Sequence, residues 1–524
     1  MILITLLLIM MGGGVLAWIA GAFDKSLPKW ISLFALLTGL SMMVSFWIGS
    51  AGTVNLTAGG AWMVTAKYDW IPQLGMSFHL GLDGISLIMT LLTLFLGAIS
   101  VIVSWKEERN TGFYFFNLLW LLAGITGVFL ALDMMVFYFF WEIMLIPMYF
   151  VIAIWGYEDR KYAGWKFFLF TQISGLMMLL AIIALYLIHG SKTGTYTFDY
   201  LELIKNVPGG QAAFWLMSGF LLAFFVKLPA LPFHSWLPDA YTQAPPAGSV
   251  IIAALMSKTA AYGLIRFIIP LFPEAARAFA VPALLIGGLS ILYGAKLSYA
   301  QKSLKRLIAY SSFSHMGFIL VGVFSFTALG LQGVMLQMVA HGLSIAALFI
   351  ISEFVRERTG SFDLSEMGGF WKKMSNMGGF TIVFIMASVG LPGLANFVAE
   401  FLTLAGAWQF NIPMSIIATL GLIVSVNYSL RILQKVFHQK EYTANQSRLY
   451  DLTAREWIVM GSLTIAIVGL GFFPQKVVHT AQPAFDKILM ASPDNNSSDQ
   501  TMNRVTQLNT MHLAELNKKE VSHD

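Results

Sequence analysis

Residues 224–236 read FFVKLPALPFHSW, a lysine at the end of an apolar run with two prolines directly behind it. Proline has no amide donor and its ring crowds the carbonyl four residues back. Pro229 and Pro232 therefore act against the carbonyls of Phe225 and Leu228, and a helix running through this stretch must break beside Lys227. At membrane depth such irregular backbone is tolerated only where protein or water surrounds it. The pattern returns once: VKLPAL at 226–231 is matched by VGLPGL at 389–394. By the span count below, the first of these helices runs inward and the second outward. Paired broken helices of opposite direction are the mark of an inverted-repeat transporter.

The rest of the chain supports a membrane setting. Hydrophobic residues make up 57% of the 524 residues and charged ones 11%, against roughly a quarter charged in a soluble domain. So few charges cannot cover a water-facing surface. Fourteen apolar runs are long enough to cross ~30 Å of hydrocarbon, which predicts an all-α polytopic protein of about 14 spans. The first run has no basic residue before it and no small-residue cleavage site, and reads as a retained helix. Nineteen Lys and Arg residues fall in loops after odd-numbered spans and four in loops after even-numbered ones. The positive-inside rule then puts the odd loops in the cytoplasm and both termini in the periplasm. From Pro474 onward the chain is polar, and weak order is expected there. No cysteine is present, which excludes thiolate-held clusters, disulfides and cysteine nucleophiles. The net charge of +5 is spread along loops instead of being gathered into a nucleic-acid-binding patch. No nucleotide fingerprint occurs either, so redox chemistry belongs to other chains.

Glu142, Lys227, Lys258 and Glu400 sit near the middle of predicted spans. Each costs at least ~2.5 kcal/mol at the bilayer centre, so each is expected to face a partner, the bundle interior or a wet path. Lys296 can reach the interface from its helix end, and Arg266 lies within two turns of one. In the segment 141–147, WEIMLIP, Pro147 frees the carbonyl of Ile143 beside the acid. His315 and His341 occupy consecutive spans, and a neutral imidazole can pass a proton by exchanging tautomers. The bland reading makes these charges structural pairs and the histidines satisfied core residues. Paired axial haem ligands are a third possibility for the histidines.

Five segments carry a family resemblance: WEIMLIPMYF (141–150), KLPALPFHSWLPDAYTQAPPAGSV (227–250), LKRLIAYSSFSHMGF (304–318), MVAHGLSIAALFI (338–350) and LPGLANFVAEF (391–401). Together they resemble the antiporter-like subunits of respiratory complex I, and Glu400 points to the branch with glutamate instead of lysine in the second broken helix. The resemblance implies two inverted five-helix repeats, residues 112–272 (helices 4–8) and 278–438 (helices 9–13). Three helices would precede them in 1–111, with a cytoplasmic loop and helix 14 in 439–473 and a periplasmic tail in 474–524. It also implies a role for each buried group. Glu142 would tune Lys227, the central protonatable amine; Lys258, His315 and His341 would link the half-channels; Glu400 would be the distal site. No cofactor is implied in this chain. NADH, FMN, iron–sulfur clusters and quinone would reside in partner subunits, within a bacterial inner membrane. Other membrane-arm and peripheral subunits, lipid and water in the half-channels would be its partners, and no nucleic acid. One departure is the loop usually read LPDAH, which here ends in Tyr241, so no uptake role transfers from that histidine. The rival readings are a subunit of an Mrp-type cation/proton antiporter, the membrane arm of a hydrogenase complex, and a passive scaffold.

Overall fold

The computed structural model describes residues 1–50, 62–439 and 449–490. Among them, thirteen helices are long and apolar enough to cross a membrane. The fourteenth span expected from the sequence is two shorter helices, Ser375–Val389 and Ala395–Phe410, separated by a turn at 390–394. Gly390 (φ +83°) and Gly393 (φ +98°) flank Pro392 in that turn. Left-handed backbone on both sides of a residue without an amide donor leaves no helical continuation. The other break behaves differently. Gly210–Lys227 stops at the lysine, and the chain winds through turns before the short helix Leu237–Gln243. Carbonyls at the break find protein donors: Ala230 N–H reaches Phe225 O, the carbonyl that Pro229 leaves open, at 2.8 Å, and the Trp236 indole N–H reaches Val226 O, which Ala230 no longer meets, at 2.9 Å.

Helices that are apolar all round belong inside a bundle. The spans Pro246–Leu271 and Ala328–Thr359 are buried throughout their apolar windows, and Gly84–Lys106, Thr111–Leu130 and Leu304–Val323 nearly so. Leu27–Ser50, Arg160–Thr193 and Ala454–Phe472 keep most of their apolar side chains on the outer surface, where lipid replaces water as the solvent.

Two elements depart from the sequence reading. The span expected to begin at residue 79 begins at Gly84, because Met76–Leu82 is a strand paired antiparallel with Val64–Ile71. Its letters, MSFHLGL, alternate apolar and polar with period two, the strand signal, but adjoin a long apolar run that hides it. The second departure is the start of the tail. Gln475–Met490 is a helix whose buried residues Val477, Ala481, Ala484, Phe485 and Ile488 recur at three- and four-residue spacing. That stripe lies against the Gly84–Val103 and Ala328–Thr359 helices, and packing of such a face orders an otherwise polar segment. The tail beyond 490, with Lys440 and Arg448 from the charge count, lies outside the described residues.

Polar clusters fix both ends of the bundle. At the hairpin, Asp199 accepts from Lys67 Nζ at 2.6 Å and contacts His79 Nδ1 at 3.0 Å. Asp133 accepts from Ser77 N at 3.0 Å and caps the helix Met134–Ile143. At the opposite end Arg358 is wholly buried with Glu456. Its five N–H groups meet Glu456 Oε1 and Oε2 and the carbonyls of Phe354, Tyr450 and Asp451. Asp451 in turn accepts from the amides of Asn376 and Met377. One guanidinium thus ties three helices together.

Each cluster makes a prediction. Burial would raise the Asp199 carboxyl, but hydrogen bonds from His79 and Lys67 outweigh it and hold the pKa at about 2. A carboxyl depressed in the folded state contributes stability fully above its unfolded value of about 4 and loses it as pH falls through the folded one. Pepsin should therefore begin to cut 64–82 as pH drops from about 4 towards 2, and Asp199→Asn should be cut across that whole range. Equal cleavage of both proteins at all pH values would remove the latch role. Separately, Arg358→Met leaves a buried carboxylate unpaired, at a cost of ~3–5 kcal/mol. Its unfolding temperature in detergent should fall clearly, and the double variant with Glu456→Met should recover most of the loss.

Candidate functional site

The six residues singled out by the sequence form two groups. The first lies where the helix Met134–Ile143 meets Gly210–Lys227. Lys227 is 2% exposed, and its Nζ sits 3.7 Å from the centroid of the Trp141 ring, a distance at which a cation is attracted to the negative face of the indole. Nζ has no hydrogen-bond partner, and neither has the buried Oε1 of Glu142. Glu142 as a whole is half-buried. Its Oε1 points at Gly175 on the long helix Arg160–Thr193, where a β-carbon would come within 2.7 Å of it. A side chain there would push the carboxylate aside. Glu142 and Lys227 are thus held in the same neighbourhood through adjacent Trp141, but they are not hydrogen-bonded to each other. A structural ion pair, the bland reading for these two residues, is not what the packing builds. The proline expected to disturb the helix near Glu142 does so: the backbone turns at Met144 between Met134–Ile143 and Leu145–Trp155.

The second group is a connected line. Lys258 lies on a short α-helical stretch, Ser257–Gly263, between two π-helical turns, Ile252–Met256 and Leu264–Ile268. Such turns recur at functional positions because they widen the helix and redirect side chains. An ammonium has three N–H donors, and Lys258 Nζ has three acceptors around it: Ala253 O at 2.7 Å, Ser257 Oγ at 3.2 Å and His341 Nδ1 at 2.7 Å. When Lys258 is charged, His341 must accept at Nδ1 and carry its hydrogen on Nε2, a buried atom with no partner. The His341 ring lies 5.5 Å from that of His315, centroid to centroid.

His315 continues the line. Its Nδ1 is 3.1 Å from Glu400 Oε1, and its Nε2 faces both Ser388 Oγ at 3.0 Å and Tyr428 OH at 3.2 Å. These partners suit the tautomer that donates from Nδ1 to the carboxylate and accepts a hydroxyl hydrogen at Nε2. Both ring nitrogens of His315 are thus engaged by protein. Glu400 is 2% exposed. Its other oxygen approaches Gly390, where a β-carbon would stand 2.9 Å from Oε2. The second helix break therefore touches the acid directly.

The sequence reading missed Ser388, Tyr428 and Ser257. Ser388 stands two residues before the broken turn and Tyr428 is a hydroxyl in mid-span, which was signal enough to suspect both. Arg266 does not reach for the interface. It is buried against Asp83 and Tyr262 with the Trp62 ring 4.8 Å away. Tyr241 is fully buried, its hydroxyl 3.5 Å from Ile252 O at the first π-helical turn. Among the described residues no three His, Cys, Asp or Glu side chains are placed to share a metal ion.

Residues 131–425 match the family described as NADH:quinone oxidoreductase/Mrp antiporter, transmembrane. The chain is 47% identical to NADH-quinone oxidoreductase subunit M of Pseudomonas aeruginosa, covering 91% of this chain and 95% of that one. It is 43% identical to the subunit of the same name in Escherichia coli K12, covering 93% and 97%. Its fold is similar to a chain of respiratory complex I from Thermus thermophilus with bound NADH (TM-score 0.83, 29% identity, 93% of this chain and 100% of that one). On its sequence, its broken helices and this match, the chain belongs to the NADH:quinone oxidoreductase/Mrp antiporter transmembrane family.

Proposed function

We propose that this chain is a proton-translocating membrane-arm subunit of an NADH:quinone oxidoreductase, moving protons along its buried Glu, Lys and His side chains. The observation that carries this reading is the line Lys258–His341–His315–Glu400, in which titratable groups follow one another at 2.7 Å, 5.5 Å between rings and 3.1 Å. NADH, FMN, iron–sulfur clusters and quinone reside in partner subunits, which drive the movement. The chain is organised as two inverted repeats over 112–272 and 278–438, each with its broken helix. It sits in the bacterial inner membrane with both termini periplasmic, among other membrane-arm and peripheral subunits.

The chemistry follows from the partners. Lys258 gives a proton to His341 at Nδ1, and the proton on Nε2 leaves, so the imidazole ends neutral in the other tautomer. The step between the two rings is spanned by a ring rotation or one bridging water. His315 passes the proton from its Nδ1 side to the Glu400 carboxylate. Lys227 is the loading amine of the other group. Its ammonium is held only by the Trp141 face and by the charge of Glu142, so a shift of the Glu142 carboxylate changes what it costs to keep that ammonium. Lifting a proton against ~100 mV takes about 2.3 kcal/mol, and each unit of pKa is worth about 1.4 kcal/mol. A swing of a few units meets the requirement.

NADH-driven proton pumping in inverted membrane vesicles tests the reading, with assembly followed in parallel on native gels. Lys227→Met and Glu142→Ala should assemble and lose pumping and quinone reduction together, by about tenfold or more. Full pumping by assembled variants would overturn the reading. Persistent NADH-driven pumping with a loss of sodium tolerance would make the chain an antiporter subunit instead.

A further inference from the structure

The helix interface that carries His341 and Glu400 holds more polar groups than the line uses. On Ala328–Thr359, residues Gly333, Gln337, His341 and Ser344 follow at helical spacing and share one face. On Ala395–Phe410, residues Asn396, Glu400 and Thr403 do the same, and the two helices pack against each other. Contacts close the interface at both ends of this stretch. A β-carbon at Gly333 would strike the Thr403 backbone, and Asn396 Nδ2 donates to Ser344 Oγ at 3.3 Å. Between those contacts lie Gln337, His341 and Glu400. Long side chains on a helix lean toward its start, which brings the His341 ring over the turn that carries Gln337.

Among the described residues, these two faces contribute a set of buried atoms with no hydrogen-bond partner in the chain. They are both ends of the Gln337 amide, His341 Nε2, Asn396 Oδ1 and Thr403 Oγ1. Gln337, Asn396 and Thr403 are wholly buried. Buried polar groups in folded proteins are satisfied, by protein or by ordered water. This set is mixed in kind. With Lys258 charged, Gln337 Nε2 and His341 Nε2 both carry hydrogens to give, while the oxygens of Gln337, Asn396 and Thr403 accept. A cation would meet the oxygens and leave the two N–H groups unmet, whereas water gives and accepts. A buried water makes about three hydrogen bonds, so about two waters answer the whole set.

We propose that Gln337 is a positioning residue for His341: with Asn396 and Thr403 it holds water between the two helices, and that water takes the hydrogen of His341 Nε2. The proposal rests on the translocation reading above and assigns the step between the two rings to a held water instead of a ring rotation. As Nδ1 receives a proton from Lys258, Nε2 releases its own to the water. The water passes one hydrogen on to the His315 imidazole and remains water. His341 ends neutral in the other tautomer, and His315 gives its Nδ1 hydrogen to Glu400. Gln337 touches neither proton. Its amide, fixed by the same water, keeps the acceptor in front of Nε2 and so makes that nitrogen the one that releases.

The test uses the assembled complex in inverted vesicles and measures NADH-driven pumping in water and in deuterium oxide. Gln337→Met keeps the length of the side chain and removes the amide. It should assemble, pump about tenfold more slowly, and be slowed further by deuterium than the parent is, because the proton step then limits the rate. Thr403→Val keeps the shape and removes the hydroxyl, and should change both readouts in the same direction by less. Thr403→Ser restores a hydroxyl and should recover most of what Thr403→Val loses. That pair decides the matter should Gln337→Met fail to assemble. Assembled Gln337→Met and Thr403→Val with the parent's rate and isotope effect would overturn the proposal. So would equal losses in Thr403→Val and Thr403→Ser, which would mark a packing role, or a sodium dependence of the parent that Gln337→Met abolishes, which would mark a cation site. Lys258→Met in the same preparation separates the two levels. If it too pumps normally, the translocation reading has failed; if it alone is slow, only the role of Gln337 falls.

Discussion

An ammonium in hydrocarbon must have its donors met, and the surroundings of Lys258 are built around that requirement. Its three acceptors come from different sources: a backbone carbonyl in a π-helical turn, the hydroxyl of its own neighbour, and an imidazole 83 residues away. The two helices that bring lysine and histidine together are the ones buried throughout their apolar windows. Both helices are packed on all sides by protein, so the geometry of the whole centre depends on these three contacts. The Arg358 node and the docked helix Gln475–Met490 both hold the helix Ala328–Thr359, which carries His341.

Lys227 is the counterpart with the opposite design. It is buried to a similar degree but has no hydrogen-bond acceptor, only the face of Trp141. An ammonium stabilised by a ring quadrupole and one carboxylate is far more sensitive to displacement of that carboxylate than one with three direct acceptors. The contrast gives the two amines different work. In the proposed translocation, Lys258 is the amine of a fixed line and Lys227 the one that responds to its surroundings. Each broken helix also stands beside a buried ionisable side chain. The first ends at Lys227 itself, and the second brings Gly390 against Glu400.

Much of this was legible before any coordinates. The prolines at 229, 232 and 392 announced both breaks, and the mid-span positions of Glu142, Lys227, Lys258 and Glu400 announced the buried charges. What could not be read was pairing across helices. Helical periodicity tells which face a residue takes, not which neighbour it meets, so the contact of Lys258 with His341 and the hydroxyls of Ser388 and Tyr428 on His315 came only with packing. Lys305 was misplaced for a related reason. The charge rule counts a lysine at a helix end as facing water, and it has no knowledge of the Ala244 carbonyl that draws this one inward. The hairpin and the amphipathic start of the tail each carried a correct local period, masked by an apolar neighbour in one case and a polar composition in the other.

A double-variant cycle between the two ends of the buried line, Lys258→Met and Glu400→Gln, tests most directly whether it works as one conduit. The quantity to measure is the proton-pumping rate of the assembled complex with each variant and with both. Steps in series predict strong non-additivity, the double variant pumping no more slowly than the worse single one. Losses that simply multiply would show two independent sites, and the line from Lys258 to Glu400 would then be a packing feature rather than a path.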